Sequence, residues 1–152
     1  MKKLRLEDIT PTHKNIHNDY EYYKYDVLPS HLFKQIKACV YELPPLKANC
    51  PYHYHSSNEE LFYILKGQGE IRTPDEIIPI QAGDFIAFPT GKAGAHKIYN
   101  TSKSESLLYL DFDSNNDIDI AVYPDSNKVG VWDQEIRRVY PMDANVDYYE
   151  NE

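Results

Sequence analysis

The stretch CPYHYHSSNEELFYILKGQGE, residues 50–70, decides how this chain is interpreted. Side chains alternate between the two faces of a strand, so His53 and His55 are predicted to point to the same side. The polar run Ser56-Ser57-Asn58 predicts a turn, after which Glu60 returns towards the two histidines on the next strand. Two imidazoles and one carboxylate are therefore expected to converge.

A third imidazole, His96, follows Pro89-Thr90-Gly91 at a distance that no local turn explains. Three neutral histidines and a carboxylate form a mixed nitrogen and oxygen donor set that suits a divalent transition metal. The predicted metal ligands are His53, His55, Glu60 and His96. The expected cofactor is an iron, manganese, zinc or nickel ion, and the ligand residues do not indicate which of these metals binds.

Length, charge and cysteine content narrow the class of protein. The 152 residues are 41% hydrophobic, which predicts one domain with one core. A net charge of −8 opposes binding to a phosphate backbone, so no nucleic-acid partner is expected. The first residues lack the apolar run of a secretory signal and no run reaches membrane length, which predicts a soluble, cytoplasmic protein without a membrane partner. Cys39 and Cys50 are expected to stay reduced.

Short apolar runs separated by Gly, Pro, Asn or Asp predict an all-β sandwich or barrel. The predicted strands lie at 36–43, 52–55, 61–66, 69–72, 77–80, 85–88, 95–100, 106–112 and 118–122.

The two ends of the chain differ from the middle. Residues 1–34 are expected to form an N-terminal arm, because prolines and the tyrosine group of residues 20–25 fit an extended segment better than a repeating strand. Residues 35–142 are predicted to form the barrel. Residues 143–152 are acidic and poor in apolar side chains, which predicts a frayed tail.

The spacing of the motifs resembles that of the cupin superfamily. The pattern His53-x-His55-x4-Glu60-x6-Gly67 is followed by Gly83-x5-Pro89-x-Gly91 and then by His96-x3-Asn100. The resemblance implies a double-stranded β-helix, that is, a jelly-roll barrel that holds a metal by the three histidines and the glutamate. The later segment YPDSNKVGVW is similar to a group of small bacterial single-domain cupins, most of them labelled sugar-phosphate-isomerase-like or uncharacterised, and this similarity implies no substrate.

The chain departs from the family pattern in the loop before His96. Four residues, 92–95, separate Gly91 from that histidine where the common pattern has two. If the two extra residues are accommodated in the turn, His96 still points at the metal. If they instead shift the following strand, His96 misses the metal and three ligands remain. Lys47 replaces a glycine of the pattern, and Glu59 competes with Glu60 as the carboxylate. The spacing to Gly67 and the alternation favour Glu60, with Glu59 facing solvent.

The predicted cavity is small, largely apolar and able to hold a small organic molecule. Its expected lining is Phe62, Ile64, Phe85, Ala87 and Ile98, with Leu108 and Leu110 as further candidates. Arg72, Lys92 and Lys97 are candidate groups for receiving an anionic substrate at its mouth.

The predicted function is a metal-dependent enzyme of dioxygenase or isomerase type. The alternative is a non-catalytic cupin that binds a sugar or another metabolite. No catalytic residue is assigned, although Tyr109 and Asp111 are candidate bases. A homodimer is expected, formed through the N-terminal arm or through the outward tyrosines Tyr52, Tyr54 and Tyr63. His13, His17 and His31 are expected to be surface histidines, and Cys50 to pack rather than react.

Overall fold

The computed structural model describes residues 3–133 and 135–151, and these residues form β-strands joined by short connections. Three single turns of 3-10 helix occur at Leu6–Asp8, Lys92–Gly94 and Pro124–Ser126. The strands are β1 Thr12–His17, β2 Tyr20–Asp26, β3 Ile36–Leu43, β4 Tyr54–His55, β5 Glu60–Lys66, β6 Gln68–Arg72, β7 Ile77–Gln81, β8 Phe85–Phe88, β9 Lys97–Tyr99, β10 Leu107–Ser114, β11 Asp119–Tyr123, β12 Lys128–Trp132 and β13 Arg137–Pro141.

The strands form two layers of antiparallel sheet. One layer is six-stranded, in the order β1-β2-β3-β10-β5-β8. The other consists of a four-stranded sheet, β13-β12-β11-β4, and a three-stranded sheet, β7-β6-β9. An isolated antiparallel bridge between His53 and His96 joins these two smaller sheets, with one backbone hydrogen bond in each direction. The all-β jelly roll expected from the sequence is confirmed.

The hydrophobic core lies between the two layers. Its buried side chains come from strands of both layers, as expected where two sheet faces interdigitate. They are Leu43, Phe62, Ile64, Ile71, Ile80, Phe88, Ile98, Leu107 and Tyr109. This core fills one end of the interior, and the inward positions at the other end are polar.

Residues 12–26 and 128–141 contain strands that the sequence does not predict. Strands β1 and β2 form a hairpin, and β2 pairs with β3, so residues 12–26 extend the six-stranded sheet. Strands β12 and β13 also fall where no strand was expected. Alternation of apolar residues is weak in THKNIH and YEYYKYD, because tyrosines and charged residues fill both faces. Pairing with an existing edge, not burial of an apolar face, makes these segments strands.

Two strands face the other way from the prediction. Ile86 pairs with Phe62 and points inward, so Phe85 is 69% exposed and Ala87 is exposed as well. On β10, Leu107 and Tyr109 are buried, which places Leu108 and Leu110 on the outer face. Both runs are apolar at nearly every position, so alternation carries no information about which face is buried.

In the described ranges, no helix combines the length and the apolar character that crossing a membrane requires.

Candidate metal centre

The structure brings His53, Glu60 and His96 together at the polar end of the interior, and His55 lies beside Glu60 but outside this group of mutually close ligand atoms. His53 and His96 are direct backbone partners, His55 lies on β4, and Glu60 begins β5. Nε2 of His55 lies 3.6 Å from one oxygen of Glu60, and Nε2 of His96 lies 3.3 Å from the other. Candidate ligand atoms of His53, Glu60 and His96 all lie within 4.8 Å of one another.

The two extra residues before His96 are absorbed in the turn. Lys92–Gly94 forms a single 3-10 turn, and the strand begins after it. A Cβ on Gly94 would lie 1.8 Å from the carbonyl oxygen of Pro89, so only glycine fits this close approach. His96 is consequently 1% exposed and points inward.

The carboxylate beside the histidines is that of Glu60. Its side chain is 10% exposed, whereas Glu59 is exposed and faces away. The backbone N–H of Glu59 donates to the hydroxyl of Ser114 at 2.8 Å, which fixes the alternation at the start of β5.

Each histidine has its Nδ1 held by a hydrogen-bond acceptor. Nδ1 of His53 lies 2.9 Å from the carbonyl oxygen of Pro51, and Nδ1 of His96 lies 2.9 Å from that of Gly94. A carbonyl oxygen can only accept, so the Nδ1 atoms carry the protons and donate. Nε2 of both rings therefore carries a free lone pair. This is the tautomer that a metal ligand needs.

Asp119 holds the third ring. Its carboxylate lies 2.5 Å from Nδ1 of His55 and accepts hydrogen bonds from the backbone N–H groups of Ser57, at 2.9 Å, and Asn58, at 3.4 Å. Burial alone would raise the pKa of Asp119, but the bonds from His55 and Ser57 lower it. A buried carboxylate that orients a histidine is typical of metal sites. The sequence analysis missed Asp119, which lies 64 residues from its partner.

Burial sets the protonation of these groups. It lowers the pKa of His53 to about 4 and that of His96 to about 3, with the neighbouring histidines adding to the shift, so both rings are neutral at pH 7. Burial would also lower the pKa of His55, but the hydrogen bond to Asp119 and the charge of Glu60 raise it. Burial raises the pKa of Glu60 to about 7, because the charged carboxylate loses its hydration.

This arrangement fits a cation. Nε2 of His96 is buried and has no hydrogen-bond partner among residues 3–133 and 135–151, although an oxygen of Glu60 lies 3.3 Å away. Without a proton or a cation between them, two lone-pair donors facing each other at that distance repel. The donor set of imidazole nitrogens and one carboxylate suits a divalent transition metal. The cluster itself is a feature of the structure, whereas metal binding by it is a proposal.

Two further carboxylates adjoin Glu60 on the inner face of β10. Oxygens of Glu60, Asp111 and Asp113 lie within 4.8 Å of one another. Asp111 is buried beside the thiol of Cys39, at 3.7 Å, and burial together with the charge of Asp113 raises its pKa well above the ordinary value. Neither Tyr109 nor Asp111, the bases suggested by the sequence, lines the cavity described next, whereas Asp113 does.

A cavity of about 460 Å³ opens in front of His53, His55 and Glu60. Most of its lining is polar, so the expectation of an apolar cavity is wrong. The charged and aromatic groups around it include Lys34, Lys37, Asp113, Asp119, Tyr123, Trp132 and Arg137.

The cationic groups at the cavity differ from those predicted. Arg72 instead pairs with Asp125 and covers the ring of Tyr52, with its guanidinium carbon 4.0 Å from the ring centroid. Tyr52 is therefore buried rather than free for a dimer contact. Lys92 and Lys97 do not line the cavity either. The cationic side chains that line the cavity are Lys34 in the connection before β3, Lys37 on β3 and Arg137 on β13. The sequence analysis did not predict that these segments lie near the histidines.

The remaining candidates behave largely as expected. His13, His17 and His31 are exposed, and His13 stacks on Tyr23 and lies 3.1 Å from Glu21. Both cysteines are free, and burial raises the pKa of the Cys50 thiol well above its ordinary value, which opposes reactivity.

Comparison with known proteins finds a matching domain and similar structures. The family model of the cupin domain matches residues 39–113. An uncharacterized protein from Methanocaldococcus jannaschii is 30% identical over 76 residues, and the chain spans 59% of that relative's length.

Two solved structures superpose over nearly the whole chain. A protein from Acidithiobacillus ferrooxidans, provisionally named a sugar phosphate isomerase, has a TM-score of 0.81 and 26% identity, covering 92% of this chain and 90% of its own. A cupin from Silicibacter pomeroyi named sugar phosphate isomerase has a TM-score of 0.83 at 18% identity and covers 95% of both chains. The paired histidine motifs, the jelly-roll sheets and the match over residues 39–113 identify a cupin domain in this chain.

Proposed function

We propose that the protein is a metal-dependent isomerase that acts on a small, hydroxylated, anionic substrate such as a phosphorylated sugar. The observation that carries the proposal is the polar cavity of about 460 Å³ directly in front of the histidine and glutamate cluster. Its volume lies in the range of small-molecule sites. The proposal includes His53, His55, Glu60 and His96 as the metal ligands.

A bound divalent ion supplies Lewis-acid polarisation of a substrate oxygen. The residues around the ion then bind and orient the substrate. Lys34, Lys37 and Arg137 provide positive charge at the cavity for an anionic group. An oxygenase for an apolar chelating substrate would need the apolar lining that this cavity lacks, so the isomerase alternative is favoured over the dioxygenase.

Asp113 is the best-placed proton acceptor. It lies directly opposite Glu60 in the pairing of β10 with β5, and it lines the cavity. One of its oxygens is buried and unbonded to any described residue. In an aldose–ketose isomerisation this carboxylate would take the proton from the carbon next to the carbonyl and return it to the neighbouring carbon. The step needs no external oxidant or reductant.

Tyr123 is the candidate proton donor. Its ring stacks on that of His53, with centroids 5.8 Å apart, and it lines the cavity. Burial, with smaller contributions from Cys50 and Asp119, raises its pKa to about 12, so the hydroxyl keeps its proton at neutral pH. In the isomerisation it would give this proton to the substrate's carbonyl oxygen and regain one from the hydroxyl group on the adjacent carbon, so that no net proton is consumed.

The test is metal analysis of protein purified without chelator, followed by assays of isomerisation on a panel of phosphorylated aldoses and ketoses. We expect about one metal per chain and activity that chelation abolishes. Asp113→Asn should lower kcat by at least about 100-fold with metal content unchanged, and Glu59→Gln, which faces solvent, is the matched control. Metal binding without any isomerase activity would instead favour the non-catalytic binding cupin, and oxygen consumption would favour the dioxygenase.

A further inference from the structure

We infer that the indole of Trp132 is a platform for the ring of the ligand, so that the cavity takes a phosphorylated sugar in its cyclic form. The inference rests on the proposed function for the class of ligand, and it adds the form in which the sugar binds and the residue that selects it. Trp132 is the only tryptophan of the chain and has no part in the proposed proton transfers.

The pairing of strands places Trp132 on the inner face of its sheet. Asp119 on β11, Trp132 on β12 and Arg137 on β13 lie directly opposite one another. Residues that lie opposite each other on neighbouring strands share one face of a sheet. Asp119 reaches inward to His55, so Trp132 and Arg137 lie on the inner face as well. Trp132 is half-buried, and both residues line the cavity.

Gly130 determines how the indole lies. Positions 130 and 132 share one face of β12, and a Cβ on Gly130 would lie 2.9 Å from Cζ2 and 3.0 Å from both Cε2 and Nε1 of Trp132. Nearly equal distances to three adjacent ring atoms mean that Gly130 meets the face of the indole and not its edge. The indole therefore lies over the strand, and its opposite face is directed into the cavity.

The platform lies within the reach of one sugar from the histidines. His55 pairs with Ala121, and Ala121 pairs with Gly130. Two strand spacings, about 10 Å, therefore separate His55 from the residue beneath the indole. That span accommodates one monosaccharide, with its anomeric end towards the histidines and the rest of its ring over Trp132.

The chemistry of the platform selects a sugar ring. The face of an indole is apolar and electron-rich, so it attracts the weakly positive C–H groups on the flatter face of a cyclic sugar. The hydroxyl groups of the sugar then meet a lining that is mostly polar. Arg137, directly opposite Trp132, supplies a positive charge for the phosphate. An open-chain sugar has no flat C–H face, so the platform favours the cyclic form.

Isomerisation would follow opening of the bound ring. In that step the bond between the anomeric carbon and the ring oxygen breaks, the anomeric carbon becomes a carbonyl, and the proton of the anomeric hydroxyl passes to the ring oxygen. No oxidant or reductant is needed.

Fluorescence of the full chain, purified without chelator, reports on the platform directly, because Trp132 is the only tryptophan. The probes are a panel of hexose and pentose phosphates, the open-chain alditol phosphates with the same carbon skeletons, and inorganic phosphate. We expect at least one cyclic sugar phosphate to change the emission, with a Kd at least about tenfold below that of its alditol phosphate and of inorganic phosphate.

Isothermal titration calorimetry with the same probes compares variants. Trp132→Ala should raise the Kd of the cyclic probe at least about tenfold and leave that of its alditol phosphate within about twofold, whereas Trp132→Phe should retain most of the affinity. Gly130→Ala keeps the tryptophan but displaces the indole, so it should also weaken binding of the cyclic probe selectively. Tyr140→Ala is the matched control, because Tyr140 lies opposite Val129 on the outer face of the same sheet, and it should bind as wild type does. Circular dichroism melts establish that each variant is folded.

Three results would overturn the inference. No probe could change the fluorescence, cyclic and open-chain probes could bind equally well, or folded Trp132→Ala could lose affinity for both kinds of probe alike. The proposed function fails separately. Binding of cyclic probes that depends on Trp132, without isomerisation of any of them, would support the platform and reject the isomerase. Isomerisation that is unchanged in Trp132→Ala would support the isomerase and reject the platform.

Discussion

Strands β5 and β10 each run from an apolar to a polar environment along the same inward face. At one end, Ile64 and Tyr109 are fully buried in the hydrophobic core. At the other end, Glu60 and Asp113 face each other beside the histidines. The core end lowers the free energy of the fold by removing apolar surface from water. The polar end buries carboxylates and lone pairs that only a proton, a cation or a substrate can satisfy, so it lowers the stability of the fold where no such partner is bound.

The largest effect expected on stability is at the core end. Ile64→Ala should lower the free energy of unfolding by about 2–5 kcal/mol, because it leaves a cavity among rigidly packed neighbours. Urea denaturation of chelator-treated protein measures the loss. Ile77→Ala, the same substitution at an exposed position of β7, should stay within about 0.5 kcal/mol of wild type. A loss below 1 kcal/mol for Ile64→Ala would contradict the division into two ends.

The largest effect expected on metal binding is at the polar end. His96→Ala should weaken binding of a divalent metal by more than about 100-fold, since loss of a ligand costs more than loss of a group that merely orients one. Titration of the folded, chelator-treated variant with Zn²⁺ measures the affinity. His13→Ala removes an exposed histidine and should bind as wild type does. An unchanged Zn²⁺ affinity of His96→Ala would reject the four-ligand proposal.

A smaller loss of metal affinity is expected when a residue that orients a ligand is replaced than when a ligand itself is replaced. Asp119→Asn should weaken metal binding by about 10- to 100-fold, because His55 loses the carboxylate that fixes its tautomer. The amide retains an oxygen for the N–H of Ser57, so the fold should persist. Asp75→Asn is the control, since Asp75 is exposed and lies outside the lining of the cavity. Equal affinities for the two variants would show that Asp119 does not support the site.

Local spacing predicted that His53, His55 and Glu60 would lie close together, whereas their role as metal ligands stays a prediction. His53, His55 and Glu60 belong to two strands joined by one turn, so alternation alone places them on one side. The position of His96 depended on how the turn at 92–95 absorbs two residues, which alternation does not determine. The motif spacing supplied the expectation, and the fit of Gly94 against Pro89 explains why the strand does not shift.

The surroundings of the site could not be predicted, because they come from distant strands. Asp119 reaches His55 through the pairing of β11 with β4, and Arg137 reaches the cavity from β13. No local pattern indicates which strands become neighbours. Asp113 was within reach, since it continues the alternation of Tyr109 and Asp111 on β10. The sequence could not predict which face of β8 carries Phe85, because every residue of that strand is apolar.

The smallest effect expected is the pH dependence of metal affinity, and it distinguishes the groups of the polar end. A cation needs Glu60 deprotonated, and its pKa is about 7 before metal binds. Below that pH a proton competes, so affinity should fall by about tenfold per pH unit, or ~1.4 kcal/mol. His55, whose pKa is also raised, should steepen the fall. His53 and His96 are neutral down to about pH 4 and should add nothing above pH 5.

Isothermal titration calorimetry at pH 6, in buffers of different ionisation enthalpy, counts the protons that metal displaces. We expect between one and two for wild type, and one fewer for Glu60→Gln in whatever residual binding it retains. Above the pKa of Glu60 the count should fall, because that carboxyl group has already lost its proton. Release of three or more protons at pH 6 would mean that His53 and His96 are also charged before metal binds. Burial would then not control their protonation, and the contrast between the neutral, buried rings and the titrating Glu60–His55 pair would fail.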